Sequence, residues 1–303
     1  MTFSKHLRPS NRVREYAALL EGACDLHVHT GPDVFQRAVD DIELLESLDQ
    51  LGYSCFLLKN HYFETVSRAY LLNKLGKRAR ALGSIVMNNS YGGLNPSAAE
   101  KALIMGAAEV WMPTFDSENH RRISSLSGGL AVQKVRTLRS YKETGGGITV
   151  LNDSGELRPE VMNVLELIAE SDAILGTGHL SLREVYRLVE AARKVGVRRI
   201  LVTHPNSKFT RFSADDQIRL ASMGAVMEQC AVTEYDPKGL ADDIRRVGVG
   251  NCIISSDSGI PSKGHPVDVL IDLIIGLKDN GISDSDIERL IKRNPAKLVE
   301  GFV

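Results

Sequence analysis

Short aliphatic and β-branched runs alternate with amphipathic stretches from residue 23 to the end of the 303-residue chain. Eight runs read as strands, over 23–30, 53–60, 84–89, 107–113, 173–178, 199–204, 224–230 and 251–257. The segments between them show helical spacing. Ile42, Leu45, Leu48 and Leu51 form one apolar stripe from Asp41 onward. Ser181 with Glu184 makes a capping box that opens a helix to about Lys194, and Gly196 stands where a left-handed residue closes it. Ser213 and Asp216 open another in the same way. Strands alternating with helices predict right-handed βαβ units around a parallel sheet. Eight such units predict an α/β fold of the distorted TIM-type (β/α)8 barrel class, with one domain over 1–303.

Four segments stand apart from the plain repeat. Residues 1–20 read as an N-terminal helical extension. Phe115 to Leu130 is polar and too long for an ordinary βα connection, which predicts a loop that is either a lid or a plain surface segment. Gly145-Gly146-Gly147, Ile148 to Leu151 and Asn152-Asp153-Ser154-Gly155 read as a small inserted β-hairpin, so that 115–155 forms a loop-and-hairpin insertion. Arg293 to Leu298 reads as a turn and a short closing helix.

The composition narrows the class of partner. Hydrophobic residues make up 43% and charged residues 25%, and 37 basic against 38 acidic residues leave a net charge of −1. That balance speaks against a nucleic acid or an acidic membrane surface as the partner. No apolar run reaches the ~20 residues of a membrane helix. Met1 to Arg14 is polar and basic, unlike a secretory signal, so a cytoplasmic location is expected. Cys24, Cys55, Cys230 and Cys252 lie inside strand-like runs with no CxxC pair, as small buried residues do. Cys230 is the one near a strand tip. No Gly-rich phosphate or dinucleotide loop is present.

The chemistry lies at the ends of the predicted strands. Asp25-Leu26-His27-Val28-His29 puts two imidazoles on one face of the first strand, because residues two apart in a strand point the same way. Gly31-Pro32 ends that strand just after them. The second strand ends in Lys59-Asn60-His61, the fifth runs into His179, the sixth into His204, and the eighth into Asp257-Ser258-Gly259. Five of the eight histidines therefore fall at strand tips, with His6, His120 and His265 elsewhere. Taken singly, each has a plainer explanation: a core histidine, or a helix cap at Asp257. Their recurrence at one end of consecutive strands favours a metal centre. Imidazoles with a carboxylate suit Zn²⁺ first, with Mn²⁺, Fe²⁺, Ni²⁺ or Co²⁺ behind it. Such an ion would bring the pKa of a bound water from ~15.7 towards ~7, and Asp257 would take its proton.

This pattern resembles the amidohydrolase superfamily of metal-dependent hydrolases. The matching residues are His27 and His29 on strand one, His179 on strand five, His204 on strand six and Asp257 on strand eight, with Asn294-Pro295-Ala296-Lys297-Leu298 resembling its closing helix. The resemblance spans 23–299. It implies a distorted barrel with one or two divalent ions, held by His27, His29, His179, His204 and Asp257, and attack on an amide, lactone or ester bond of a small molecule. The chain departs from two-metal members at strand four, where a bridging lysine or glutamate is expected. Glu109 comes early in that strand and Pro113-Thr114 occupies its tip. Glu228 on strand seven is a candidate substitute, since a carboxylate in an apolar strand calls for a cation, either a metal or Lys59. Lys59, which shares strand parity with His61, is a carboxylated ligand, a contact for an anionic substrate or a plain barrel lysine, and the second is preferred. Lys59 and His61 would position the substrate. Arg37, Tyr62, Trp111, Asn206, Lys208 and Arg211 are assigned to tip-side loops around it. A phosphoesterase, a metal-dependent decarboxylase and a non-catalytic metal- or ligand-binding barrel are the rival readings. Homo-oligomerisation is left open.

Overall fold

The protein is described by a computed structural model over residues 8–126, 146–231 and 236–303. Nine strands lie among these residues: β1 Cys24–Val28, β2 Cys55–Leu58, β3 Arg80–Leu82, β4 Ser84–Val86, β5 Glu109–Trp111, β6 Ile174–Gly176, β7 Arg199–Val202, β8 Val226–Cys230 and β9 Cys252–Ser255. All pairings are parallel. The strands form a three-stranded sheet, β1-β2-β3, and a six-stranded sheet running from β4 to β9 in chain order. At their tips β9 returns to β1: Asp257 N donates to His27 O (2.9 Å) and His29 N to Ser258 O (2.8 Å). Ladder pairing between these two strands is limited to the bridge Val28–Ser258.

Each predicted strand region holds a strand; β3, just before the third region, is not among those predicted. Gly83 separates β3 from β4 because the N-terminus of the helix Val66–Asn73 presses on it. A Cβ at Gly83 would lie 2.3 Å from the Val66 α-carbon. Thr65 bridges the break, donating through Oγ1 to Leu58 O (2.6 Å) and accepting from Ser84 N (2.8 Å).

Apolar side chains fill both faces of the sheets. One cluster packs Phe56, Leu58, Val110 and Ile254 against helix residues such as Leu44, Leu188 and Leu270. On the other face, Leu26, Leu57, Ala108, Trp111, Ile174, Leu201 and Ile253 meet one another. Leu298 and Val299 join that second cluster from the closing helix, which sits at the strand beginnings, where Asn294 Nδ2 donates to Cys252 O (2.7 Å). Burial on both faces is what a parallel sheet under a helical layer requires.

The caps read from the sequence are present. Ser181 and Ser213 each form a capping box, and Gly196 adopts φ 95° at the end of the helix Leu182–Val195. Other segments differ from expectation. In the helix Asp41–Gln50 the buried stripe is Leu44, Leu45 and Leu48, while Ile42 is 51% exposed. Asp41 takes the inner position at the helix start instead, paired with Arg68 (2.6 Å) and Thr30 Oγ1 (2.5 Å). Part of the polar segment expected as a loop is the helix Glu118–Leu126, with Asn119 and His120 buried. Its continuation from Ser127 to Leu130, and Gly145, lie outside the described residues. The expected hairpin is a single antiparallel bridge, Leu151–Leu157, because Asn152 Oδ1 accepts from Ser154 N and Glu156 N (both 3.0 Å) and folds the chain into a tight turn. The N-terminal extension contains the helix Val13–Leu20. At the C-terminus no turn interrupts the chain: Asp284–Glu288, Arg289–Arg293 and Asn294–Leu298 run on helically through a π-helical stretch.

Candidate metal centre

The strand tips gather the predicted donors. His27 Nε2 lies 3.0 Å from Asp257 Oδ1, and His29 Nε2 lies 3.4 Å from the same oxygen. The two rings of β1 have centroids 5.3 Å apart. A second pair stands beside them, with His204 Nε2 and His179 Nε2 3.2 Å apart. The His27 and His204 rings stack at 6.0 Å, which joins the two pairs. His204 and Asp257 both carry positive φ, 26° and 41°. Such strained backbone in residues other than glycine concentrates at functional sites. Gly259 shows why the turn after Asp257 needs a glycine: at φ 143° its Cβ would lie 2.0 Å from His29 O.

Glu228 stands behind His27 rather than among the facing donors. Its Oε2 is 3.1 Å from His27 Nδ1, the ring edge away from Asp257. A carboxylate there fixes the tautomer, with the proton on Nδ1 and a lone pair on Nε2. Lys59 Nζ lies 3.1 Å from that same Nε2 and 3.9 Å from the centroid of Trp111. His27 therefore has three polar neighbours that no single protonation state satisfies. As a neutral ring it faces Asp257 lone pair to lone pair; as a cation it turns an N–H towards an ammonium. A divalent ion in contact with Nε2 and Asp257 removes the conflict. His27, Cys230 and Asp257 offer one ligand atom each within 4.8 Å of one another. This donor set fits a metal.

The electrostatics agree with that fit. Burial, then Arg37, holds His29 well below the usual imidazole range; burial, then His120, does the same to His179, and burial, then His29, to His61. Burial also lowers His204 to about 4. These rings are neutral near pH 7, as metal ligands must be. His27 shifts the other way, since Asp257 and Glu228 outweigh its burial and raise its pKa. Burial opposes the charge of Asp257 as well, but His27 and the surrounding imidazoles overcome it and keep the carboxyl ionised. Burial lowers Lys59, and the carboxylates Asp257, Glu228 and Glu109 partly offset this.

The other predicted residues fall in three places. His61 is buried beside His29, with ring centroids 4.9 Å apart; it stacks on Phe115 at 3.8 Å, and its Nδ1 is 2.9 Å from Thr114 Oγ1. Trp111 is not on a loop: it is fully buried under His27, ring centroids 4.9 Å apart. Glu109 is also fully buried, at the start of β5; burial and then Glu228 raise its pKa well above the carboxylate range, with Lys59 opposing. Arg37 reaches the rim, with Nη2 3.4 Å from His29 Nδ1, but is tied to Asp33 at 2.7 Å. Tyr62 packs on Phe35, Asn206 Nδ2 donates to Cys230 O (3.3 Å), Lys208 lies over Phe209, and Arg211 is exposed at φ 49°.

Sequence reasoning missed two members. His120, on the helix Glu118–Leu126, places Nδ1 2.7 Å from His179 Nδ1 and stacks on Phe209 at 4.0 Å. Nothing local marked it, because it reaches the site from a connection rather than a strand. Cys230 had one signal, its position at a strand tip.

The fold has counterparts among known proteins. The chain aligns over nearly its whole length with solved structures of a probable dipeptidase, an amidohydrolase and a decarboxylase. It is similar to the probable dipeptidase PvdM from Pseudomonas aeruginosa, with 12% identity, 97% of this chain and 99% of that chain covered, and a TM-score of 0.60. It is similar to an amidohydrolase from Pseudomonas aeruginosa, with 9% identity, 95% and 98% covered, and a TM-score of 0.60. A third is a dihydroxybenzoic acid decarboxylase from Polaromonas sp. JS666 with bound manganese and an inhibitor, 2-nitroresorcinol, with 11% identity, 92% and 96% covered, and a TM-score of 0.54. At such identities the likeness is one of fold alone. No curated protein matches by sequence. Residues 22–228 match DUF6282, a family of unknown function, and the chain belongs to that family.

Proposed function

We propose that this chain is a metal-dependent hydrolase of the amidohydrolase type, acting through a metal-activated water on an amide, lactone or ester bond of a small, anionic molecule. The observation that carries the reading is the convergence of His27 Nε2 and His29 Nε2 on Asp257 Oδ1, at 3.0 and 3.4 Å. In this reading the parallel strands complete a (β/α)8 barrel. His27, His29 and Asp257 hold one ion, with His179 and His204 beside them as ligands of the same ion or of a second one. The ion is zinc, and when bound it supplies Lewis acidity and a water that ionises near neutral pH. Asp257 accepts the proton of the attacking water, as its side chain is 18% exposed and keeps its charge. Lys59 and His61 border the same space and orient the substrate. Glu228 holds the His27 ring rather than binding the ion. The enzyme is assigned to the cytoplasm, and association into a homo-oligomer is compatible with this chemistry. Among the described residues, no helix is long and apolar enough to cross a membrane.

Decarboxylation is the second reading, favoured by the likeness to the manganese-bound decarboxylase. A panel of amides, lactones, phosphoesters and hydroxybenzoates, assayed with metal removed and restored, separates the two. Hydrolysis that a chelator abolishes and zinc restores is the expected result, with Asp257→Asn slowing it by about 10²–10⁴-fold. Carbon dioxide release from an aromatic acid favours the second reading. Bound metal with no turnover on any class removes the enzyme reading and leaves a binding barrel.

A further inference from the structure

The amidohydrolase-type centre proposed above rests on imidazoles and a carboxylate, yet among the described residues the group of three whose ligand atoms all lie within 4.8 Å of one another contains a sulfur. Cys230 Sγ, a His27 nitrogen and an Asp257 oxygen all lie within 4.8 Å of one another. The placement follows from β8. Glu228 and Cys230 are two residues apart, so they share a face. Glu228 is the deeper of the two, at His27 Nδ1. Cys230 is one step nearer the tip and pairs in register with Ser255, two residues before Asp257. Among the described residues the other three cysteines, Cys24, Cys55 and Cys252, are the first residues of β1, β2 and β9, at the opposite end of the strands. We infer that Cys230 is a thiolate ligand of the ion held by His27 and Asp257, with His29 as the fourth donor.

Charge supports this arrangement. One thiolate and one carboxylate neutralise a divalent ion, so a largely buried centre carries no net charge, and the Glu228 carboxylate offsets the Lys59 ammonium. On binding, the S–H bond breaks, the sulfur–metal bond forms and the proton passes to the buffer. A thiolate also selects the ion. It favours zinc over manganese or magnesium, which prefer oxygen donors.

X-ray absorption at the zinc edge of the zinc-loaded full chain tests the assignment without any substitution. One sulfur scatterer at about 2.3 Å is expected beside nitrogen and oxygen at about 2.0–2.1 Å. Cys230→Ser should lose the sulfur shell, keep the near-ultraviolet circular dichroism of the parent, and release zinc to a chelator at least about tenfold more readily. A shell of nitrogen and oxygen alone overturns the thiolate assignment and leaves the histidine–carboxylate centre standing. Sulfur retained in Cys230→Ser overturns it too. If the parent protein takes up no zinc, cobalt or manganese, both this inference and the enzyme reading beneath it fall.

Discussion

Glu228 provides the sharpest test of how the His27 ring is held. Its Oε2 is 3.1 Å from His27 Nδ1, and its other oxygen has no partner. Removing the carboxylate leaves Nδ1 without an acceptor in a dry interior and frees the ring to turn or change tautomer. Losing an outer partner of a metal-bound histidine costs about 10–100-fold in metal affinity, or about 1.4–2.7 kcal/mol. Glu228→Ala should therefore bind zinc that much more weakly. Glu228→Gln keeps an acceptor oxygen without the charge, and should fall between the two. Competition against a chromophoric chelator at fixed pH measures both. Two results would refute the reasoning. If Glu228→Ala binds zinc within about threefold of the parent, the carboxylate does not orient the ring. If it loses zinc as completely as His27→Ala does, Glu228 is itself a ligand.

Two further expectations follow from the same structure. His265 caps the helix Pro266–Asp279 by accepting from Val267 N (3.2 Å), and burial lowers its pKa from 6.5 to about 4, with Asp268 and Glu43 opposing. Because the folded value lies below the unfolded one, this stability is present above pH 6.5 and is lost as pH falls towards 4. Between pH 7.5 and 5 the loss is about 2 kcal/mol. Urea midpoints should show the parent losing that much more than His265→Asn, whose amide oxygen can still cap, and equal losses would sink the idea. Gly259→Ala should destabilise the fold by about 1–3 kcal/mol and weaken metal binding, since its Cβ would lie 2.0 Å from His29 O. A variant with unchanged melting temperature and zinc content would contradict that geometry.

The strand–helix alternation was legible in the sequence because burial on both faces forces continuous apolar runs, and Ser181, Ser213 and Gly196 marked helix ends by local chemistry alone. His27 and His29 were legible for a similar reason: a strand period of two dictates that they share a face. The same local rules failed wherever a neighbour from elsewhere set the outcome. The helix Val66–Asn73 pressing on Gly83 separated β3 from β4, and Arg68 drew Asp41 inward at the start of a helix. Trp111, assigned to the tip-side loops, is instead buried under His27 by the packed sheet. The role of Glu228 could not be read from its own segment, because which edge of His27 it meets depends on the register of β8 against β9 and of β9 against β1. His120 and Cys230 entered the centre for the same reason. Strand period and turn chemistry act over a few residues and are written in the chain; which side chains share a cation depends on contacts between segments as far apart as β1 and the tip of β9, and only the folded packing decides those.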